Sequence, residues 1–440
     1  MSLAWSPLSR QLQSQGDLCE QSAKQTISPR GLASVALITT ISSLVTPGSA
    51  VAATKPTAKW KLTSLKPSAS IKANSILSTN SRGKQKWIVK GNCSITGLRI
   101  KTQASGKCTL AVTISAKSPY TARTLRKSFP IKPPTPSPET FDPYAGVVAA
   151  ANAIGTRSER SLVTPDGRTR RYRIYVPSVI PSGTSVPLVI ALHGGLGTSS
   201  QFEANSGLNG FAESNRFIVV YPDGVGNQSD GSGFQTWNGG YCCGPAAAQS
   251  IDDITFIRNV VTDLRNSLPV NNSKVYALGH SNGGILSYRI ACEMSDVVAA
   301  IGVQAGSNVV NNCRPGLPVS VFHLHGTSDT NMPINGGKGS GLSATVFVSA
   351  RSAVDAMATV NGCNVASPKS LVASNSDVTA LSWTNCKSNS EVRFVTVKNA
   401  THAWMGHAAQ SAGSASYVGE PYPNLDATRA ILSFVLSKTR

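Results

Sequence analysis

Within Leu278-Gly279-His280-Ser281-Asn282-Gly283-Gly284 an apolar strand pattern gives way to a helical one with no space for a loop between them. Val275-Tyr276-Ala277-Leu278 reads as a core strand, and apolar residues recur at helical spacing from Gly284 to Ala291. Between the two lies G-x-S-x-G, the pattern of a tight turn that lifts a serine clear of a sheet. Side chains at Gly279 and Gly283 would collide with the adjoining strand and helix, which is why glycine stands there. Helix onset just past Ser281 also aims free backbone N–H groups at any oxyanion that forms beside it.

Strand and helix patterns alternate from about residue 158 onward, which predicts a doubly wound, mainly parallel sheet covered on both faces. The expected strands are Arg171 to Val176, Leu188 to Leu192, Phe217 to Tyr221, Val275 to Leu278, Ala299 to Val303, Val319 to Leu324 and Arg393 to Val397. Ser250 is the expected cap of a helix in which Ile251, Ile254, Ile257, Val261 and Leu264 share one face.

The front of the chain is different. Residues 1–53 resemble an export signal: Lys24 and Arg30 precede the apolar run Gly31 to Val45, and Ala50-Val51-Ala52-Ala53 has the character of a cleavage site. The apolar run is too short and too hydroxyl-rich to span a bilayer, so no stable membrane insertion is expected. Eight of the nine cysteines lie beyond that segment, an even number suited to disulfides in an oxidising compartment and hence to an extracellular, secreted or wall-associated protein. Sequence proximity favours Cys93 with Cys108, Cys292 with Cys313 and Cys363 with Cys386, each staple stabilising by roughly 3 kcal/mol. The adjacent Cys242 and Cys243 have no assignable partners from sequence.

Charge separates the chain further. The formal net charge is +20, yet residues 54–132 hold 17 Lys or Arg with no Asp or Glu, while residues 133–440 hold 21 basic against 19 acidic residues. Alternating segments at Gln85 to Val89, Leu98 to Lys101, Leu110 to Ile114 and Ser128 to Ile131 predict a small all-β sandwich for residues 54–132. A proline-rich linker is expected over residues 133–157 and a catalytic domain over 158–440. The excess of cations points to adhesion on an anionic cell wall or polysaccharide. Nucleic acid is not expected as a partner of an exported, enzyme-linked domain.

An acyl-transfer serine needs a base, an acid that orients the base, and fixed donors for the developing negative oxygen. For Ser281 the acid candidate is Asp329 in His325-Gly326-Thr327-Ser328-Asp329, on the loop after the strand ending at Leu324; Asp296 and Asp355 compete less well from helical surroundings. The base candidate is His402 in Asn399-Ala400-Thr401-His402-Ala403-Trp404, with His407 its rival and Trp404 the expected apolar wall for its ring. Such a base acts only when neutral, so activity should fall on acidification. The oxyanion hole would combine the N–H of Asn282 with that of Gly195, or else Leu196, in His193-Gly194-Gly195-Leu196-Gly197. No G-K-[ST] follows those glycines, which argues against a phosphate loop. His323 and His325 lack the Cys or carboxylate company of a metal site and read as packing or loop-orienting residues.

Leu192-His193-Gly194-Gly195, Tyr221-Pro222-Asp223-Gly224, Trp237-Asn238, Cys242-Cys243-Gly244, Asp252-Asp253, Gly279 to Gly284, His325 to Asp329 and Thr401 to Trp404 together resemble the secreted polyhydroxybutyrate-depolymerase-like esterases, relatives of feruloyl and acetyl-xylan esterases. The resemblance covers roughly residues 160–440 and implies an α/β-hydrolase fold, no cofactor, and a catalytic triad at Ser281, Asp329 and His402. It departs from many relatives around Lys398 to Gly406, which leaves the substrate open: a polyhydroxyalkanoate or a plant-wall ester, polymeric or small. Around Cys93 and Cys108 the front domain is similar to Ig-like repeats of bacterial surface proteins. Acyl transfer to another acceptor by the same triad, or an inactive surface-binding protein, are the alternative functions.

Overall fold

The computed structural model describes residues 52–132, 138–228, 231–341, 345–408 and 412–440, so the export segment before Ala52 and residues 133–137 of the proline-rich stretch lie outside the described residues. The described chain separates into two compact units, before and after that stretch.

In the first unit, strands Gln85–Gly91, Gly106–Ile114 and Arg123–Ile131 form one antiparallel sheet, and Ser70–Lys72, Arg99–Thr102 and Cys93–Thr96 form another. Ala58–Trp60 pairs with Leu77–Thr79. Alternation decides which side chains go inside: Cys108, Leu110, Val112 and Ile114 are buried while their neighbours along the strand are not. Leu65, Ile76, Ile100 and Phe129 complete the core, and Trp60 packs edge-on against Trp87 and Phe129. Cys93 and Cys108 are joined by a disulfide.

The second unit is built on an eleven-stranded sheet in the order Thr156–Val163, Thr169–Val176, Ile218–Pro222, Val186–Leu192, Val270–His280, Ala300–Gln304, Ser320–Gly326, Val392–Val397, Val378–Trp383, Lys369–Val372 and Glu139–Thr140. The six central strands, from Ile218–Pro222 to Val392–Val397, are parallel. Antiparallel pairs flank them on both sides, so the sheet is parallel at its centre, as expected, and mixed at its margins. The flanking strands Thr156–Val163 and Lys369–Val372 escape a sequence reading because exposed polar residues occupy half or more of their positions.

Neighbouring residues on each central strand feed two separate cores. Leu188, Ile190, Val275, Ala277, Ile301 and Val303 face helices Asp253–Ser267, Asn282–Glu293 and Ala350–Val360. Val189, Ala191, Tyr276, Leu278, Phe322 and Leu324 face helices Ser199–Ser206, Leu208–Asn215 and Ala427–Val435. With both faces covered, the parallel strands read as continuous apolar runs, and their carboxyl ends point to one edge of the sheet. The architecture is that of an α/β-hydrolase.

Two local expectations are corrected. Asp252, not Ser250, caps helix Asp253–Ser267, its carboxylate accepting the Thr255 N–H at 3.0 Å; a carboxylate suits the positive helix end better than a hydroxyl. Ser250 instead follows the short helix Gly244–Ala248, with a φ of 52°. The linker is also shorter than residues 133–157. From Glu139 the chain joins the sheet edge, Val147 is buried, and Arg429 donates to the Val147 carbonyl while lying over the Tyr144 ring. Phe141, Tyr144 and Val147 supply the apolar surface that anchors this segment.

Cys292–Cys313 and Cys363–Cys386 are joined, and Cys242 and Cys243 bond each other. Among the described residues no helix is long and apolar enough to cross a membrane.

Candidate active site

Strand Val270–His280 ends and helix Asn282–Glu293 begins on either side of one residue, Ser281, whose φ of 53° and ψ of −118° lie outside the regions L-residues favour. A Cβ on Gly279 would overlap the Gly283 backbone, and one on Gly283 would overlap the Leu192 carbonyl. The Ser281 N–H is held by the Gln304 carbonyl at 2.9 Å, and its own carbonyl accepts Ile285 N–H. The hydroxyl is therefore fixed at the carboxyl edge of the sheet.

Asp329 and His402 meet it there. His402 Nε2 lies 2.8 Å from Ser281 Oγ, and its Nδ1 lies 2.8 Å from Asp329 Oδ2. The Ser328 N–H donates to the Ala400 carbonyl, and the loop passes so closely that a Cβ on Gly326 would overlap that same carbonyl. With the carboxylate accepting from Nδ1, the lone pair of Nε2 faces the serine hydroxyl, the tautomer that can remove its proton.

Asp329 is set by four donors. Its Oδ1 accepts the backbone N–H groups of Asn331 and Met332, both at 2.9 Å; its Oδ2 accepts from His402 and, at 3.3 Å, from His325. Burial pushes the carboxyl pKa up, but His402 and the His325 N–H outweigh it and hold the group below the usual carboxylate range.

Behind Asp329 runs a buried relay. Tyr288 Oη is 2.7 Å from His323 Nδ1, His323 Nε2 is 2.9 Å from His325 Nδ1, and His325 Nε2 is 2.8 Å from the Met332 carbonyl. A carbonyl and a carboxylate only accept, so His325 Nε2 carries the proton; with neutral rings, His323 Nε2 must then donate to His325 and Tyr288 to His323. The two histidines are thus loop-orienting groups with every ring nitrogen engaged, and the relay presents an N–H to the acid.

The other candidate donors lie beside Ser281. Asn282 is the first residue of its helix, so its N–H has no intrahelical acceptor. Its side chain is clamped to Trp237, accepting the Trp237 N–H at 2.7 Å and donating to the Trp237 carbonyl at 3.0 Å. A Cβ on Gly195 would lie 3.6 Å from Asn282 Cβ, which puts the glycine loop directly against the helix start. Leu196 is no longer an alternative, because its N–H donates to the Gln235 carbonyl at 2.7 Å.

Buried polar contacts hold this frame. His193 accepts the Gly224 N–H at Nε2 and hence donates from Nδ1 to the Gly194 carbonyl, while Trp237 Nε1 donates to the His193 carbonyl. Asp253 accepts the Asn238 N–H and pairs with Arg170 at 2.8 Å, both side chains buried. These contacts give Trp237-Asn238 and Asp252-Asp253 a physical role.

Residues 165–350 match the esterase family model. Feruloyl esterase B of Piromyces equi is 29% identical over 245 residues, spanning 53% of this chain and 42% of that protein. The bifunctional acetylxylan esterase/xylanase XynS20E of Neocallimastix patriciarum is 28% identical over 163 residues, 37% of this chain and 22% of that protein. Feruloyl esterase D of Neurospora crassa is 24% identical over 242 residues, 52% and 73% of the two chains. The chain thus spans less than half the length of the first two. The solved acetyl xylan esterase from Aspergillus awamori is similar at 17% identity over 55% of this chain and 94% of that one, with a TM-score of 0.41.

The competing candidates are occupied elsewhere. His407 meets Asp426, Asp296 pairs with Arg258, and Asp355 pairs with Arg351. One expectation fails: Trp404 is not the wall of His402. Its ring packs on Phe202 and His280, and its Nε1 donates to Thr428; the His280 ring is the neighbour of His402, at 5.0 Å between centroids. His280 Nε2 also donates to the His402 carbonyl at 2.7 Å.

Gln304 is the site residue the sequence reading missed. Fully buried, it binds Ser281 through its backbone carbonyl and the histidine loop through its side chain, donating to Ala403 carbonyl and accepting Met405 N–H. A polar residue closing the apolar strand Ala300–Gln304 was the available signal.

A cleft of about 390 Å³ opens beside the glycine loop, lined by Leu196, Thr198, Gln201, Asn227, Gln228 and Phe234. An apolar wall of Cys242, Ile285, Val309, Met332 and Phe347 stands between the serine helix and the acid loop.

The buried histidines predict a steep acid limit to stability. Burial pushes His193 down to about 4 and His280 to about 3 from the ordinary 6.5, and His323 well below it with His325 adding to the effect. Between 6.5 and those values the unfolded chain binds protons that the folded chain refuses, so stability is full above that range and falls as pH drops through it. Three such groups give a slope of about 3 to 4 kcal/mol per pH unit near pH 5. Urea unfolding at pH 7.5, 6 and 5 reads it; equal stability at all three would contradict it.

Proposed function

We propose that this chain is a secreted serine esterase that hydrolyses carboxylic esters of plant-wall polysaccharides, feruloyl and acetyl groups foremost. The observation that carries the reading is the unbroken hydrogen-bond chain from Ser281 Oγ through His402 to Asp329. The names of the relatives, feruloyl and acetylxylan esterases, support the choice of substrate, and four disulfides fit an oxidising compartment.

In this mechanism His402 Nε2 takes the proton of Ser281 as Oγ attacks the ester carbonyl carbon. The carbonyl oxygen becomes an oxyanion stabilised by the N–H groups of Asn282 and Gly195, a pair of contacts of the kind that contributes about 3 to 4 kcal/mol each. His402 then passes its proton to the departing alkoxide, leaving an acyl group on Ser281. Water repeats the sequence and releases the acid. Asp329 keeps Nδ1 protonated and offsets the positive charge that His402 gains.

The test is a hydrolysis panel of feruloylated arabinoxylan fragments, acetylated xylan, polyhydroxybutyrate and short nitrophenyl esters. The account predicts kcat/KM for the feruloyl or acetyl xylan substrates at least tenfold above that for soluble 3-hydroxybutyrate oligomers. Preference for the oligomers would overturn the substrate assignment, and inertness toward every ester would overturn the activity.

A further inference from the structure

The first unit carries 17 cations and no carboxylate between residues 54 and 132. Sixteen of the 17 side chains are exposed, Arg123 being half-buried. Lacking any acidic neighbour within the unit, these charges repel one another, an arrangement that a bound polyanion relieves.

One face has a defined relief. On the outer side of sheet Gln85–Gly91, Gly106–Ile114 and Arg123–Ile131 the register aligns Lys86 with Thr113 and Thr124, Ile88 with Ala111 and Arg126, and Lys90 with Thr109 and Ser128. Between Thr109 and Thr113 the central strand is therefore lined by small residues, with Lys107 rising at one end, while Lys86, Lys90 and Arg126 rise from the strands on either side. Strands lie about 4.8 Å apart, so the floor between the cationic edges is about 10 Å wide. Hydroxyls stand on either side of Ala111 along it: Thr109 meets Ser128 at 2.7 Å and Thr113 meets Thr124 at 3.0 Å. The second sheet differs, because both outward positions of its short central strand, Arg99 and Lys101, are cationic and leave no floor, whereas Lys107 stands only at the end of the first sheet's central strand.

We propose that this hydroxyl-floored, cation-edged sheet face cradles an extended anionic glycan lying along the strands. Carboxylates or phosphates of the polymer meet Lys86, Lys90 and Arg126, and its sugar hydroxyls meet the threonine and serine floor. A glycan fits better than a nucleic acid because no aromatic side chain projects from this face to stack a base. The inference stands apart from the esterase reading, since it uses no residue of the second unit.

The experiment measures binding of the full chain to polygalacturonate, to a glycerol-phosphate polymer and to neutral arabinoxylan, at low and high salt. Two variants remove three charges each: Lys86→Gln/Lys90→Gln/Arg126→Gln on the proposed face and Lys72→Gln/Arg99→Gln/Lys101→Gln on the other sheet. The first is expected to weaken binding of at least one polyanion about tenfold or more, the second by about threefold or less, with binding falling as salt rises. The carboxylate and phosphate arms separate the two sources of anion. Unchanged melting and nitrophenyl-ester hydrolysis in both variants show that folding is intact. Equal losses in the two variants, equal binding of neutral arabinoxylan, tighter binding of single-stranded DNA than of either polyanion, or no binding at all would overturn the proposal.

Discussion

Replacing Ser281 with alanine is expected to lower ester hydrolysis by on the order of 10⁴- to 10⁶-fold in kcat while leaving the fold intact. The size follows from the loss of the acyl-enzyme route: without Oγ, His402 could only activate a water, which is not covalently held at the turn and forms no acyl-enzyme. Ser281 makes its structural contacts through its backbone, donating to Gln304 and accepting from Ile285. Alanine preserves both. Melting temperature and KM should therefore change little, and a parallel loss of stability would show that the residue matters for folding rather than chemistry.

The second large effect is expected at Asp329. In Asp329→Asn the side-chain oxygen stays with the Asn331 and Met332 N–H groups, so the amide nitrogen faces His402 and His325, both of which present N–H to Oδ2 in the native protein. Two donors then oppose each other. His402 relieves the clash by moving its proton to Nε2, where it faces Ser281 and can no longer accept. A loss of about 10⁴-fold in kcat is expected, with a small change in KM. Activity within about tenfold of the parent would mean that His402 does not depend on Asp329 for its tautomer.

The two replacements differ in what the sequence revealed about each residue. Ser281 was legible because its chemistry and its backbone are written in one stretch: Gly279 and Gly283 are demanded by the same turn that exposes the hydroxyl. The central strands were legible because burial on both faces gives unbroken apolar runs. The flanking strands Thr156–Val163 and Lys369–Val372 were not, since half or more of their side chains are polar and exposed. Asp329 and His402 could be chosen by loop position, but their mutual approach depends on Gly326, on the Ala400 carbonyl and on Gln304, contacts between segments about 75 to 100 residues apart. The same holds for His280, which the motif presents as a spacer and the fold uses to hold the His402 backbone. Trp404 shows the converse error: adjacency in sequence placed it against His402, whereas the turn of the chain carries its ring to Phe202 and His280. Asp252 replaced Ser250 as a helix cap because the end of a neighbouring short helix, invisible as a pattern, had already fixed the Ser250 backbone.

Central to this account is a single serine hydroxyl activated by the imidazole it touches. Mass spectrometry of the full chain after brief treatment with a fluorophosphonate at neutral pH tests it most directly. One phosphonyl group per chain on the peptide bearing Ser281, absent from Ser281→Ala and strongly slowed in Asp329→Asn, is the predicted result. An adduct on another residue, or labelling that persists without the Ser281 hydroxyl, would contradict it.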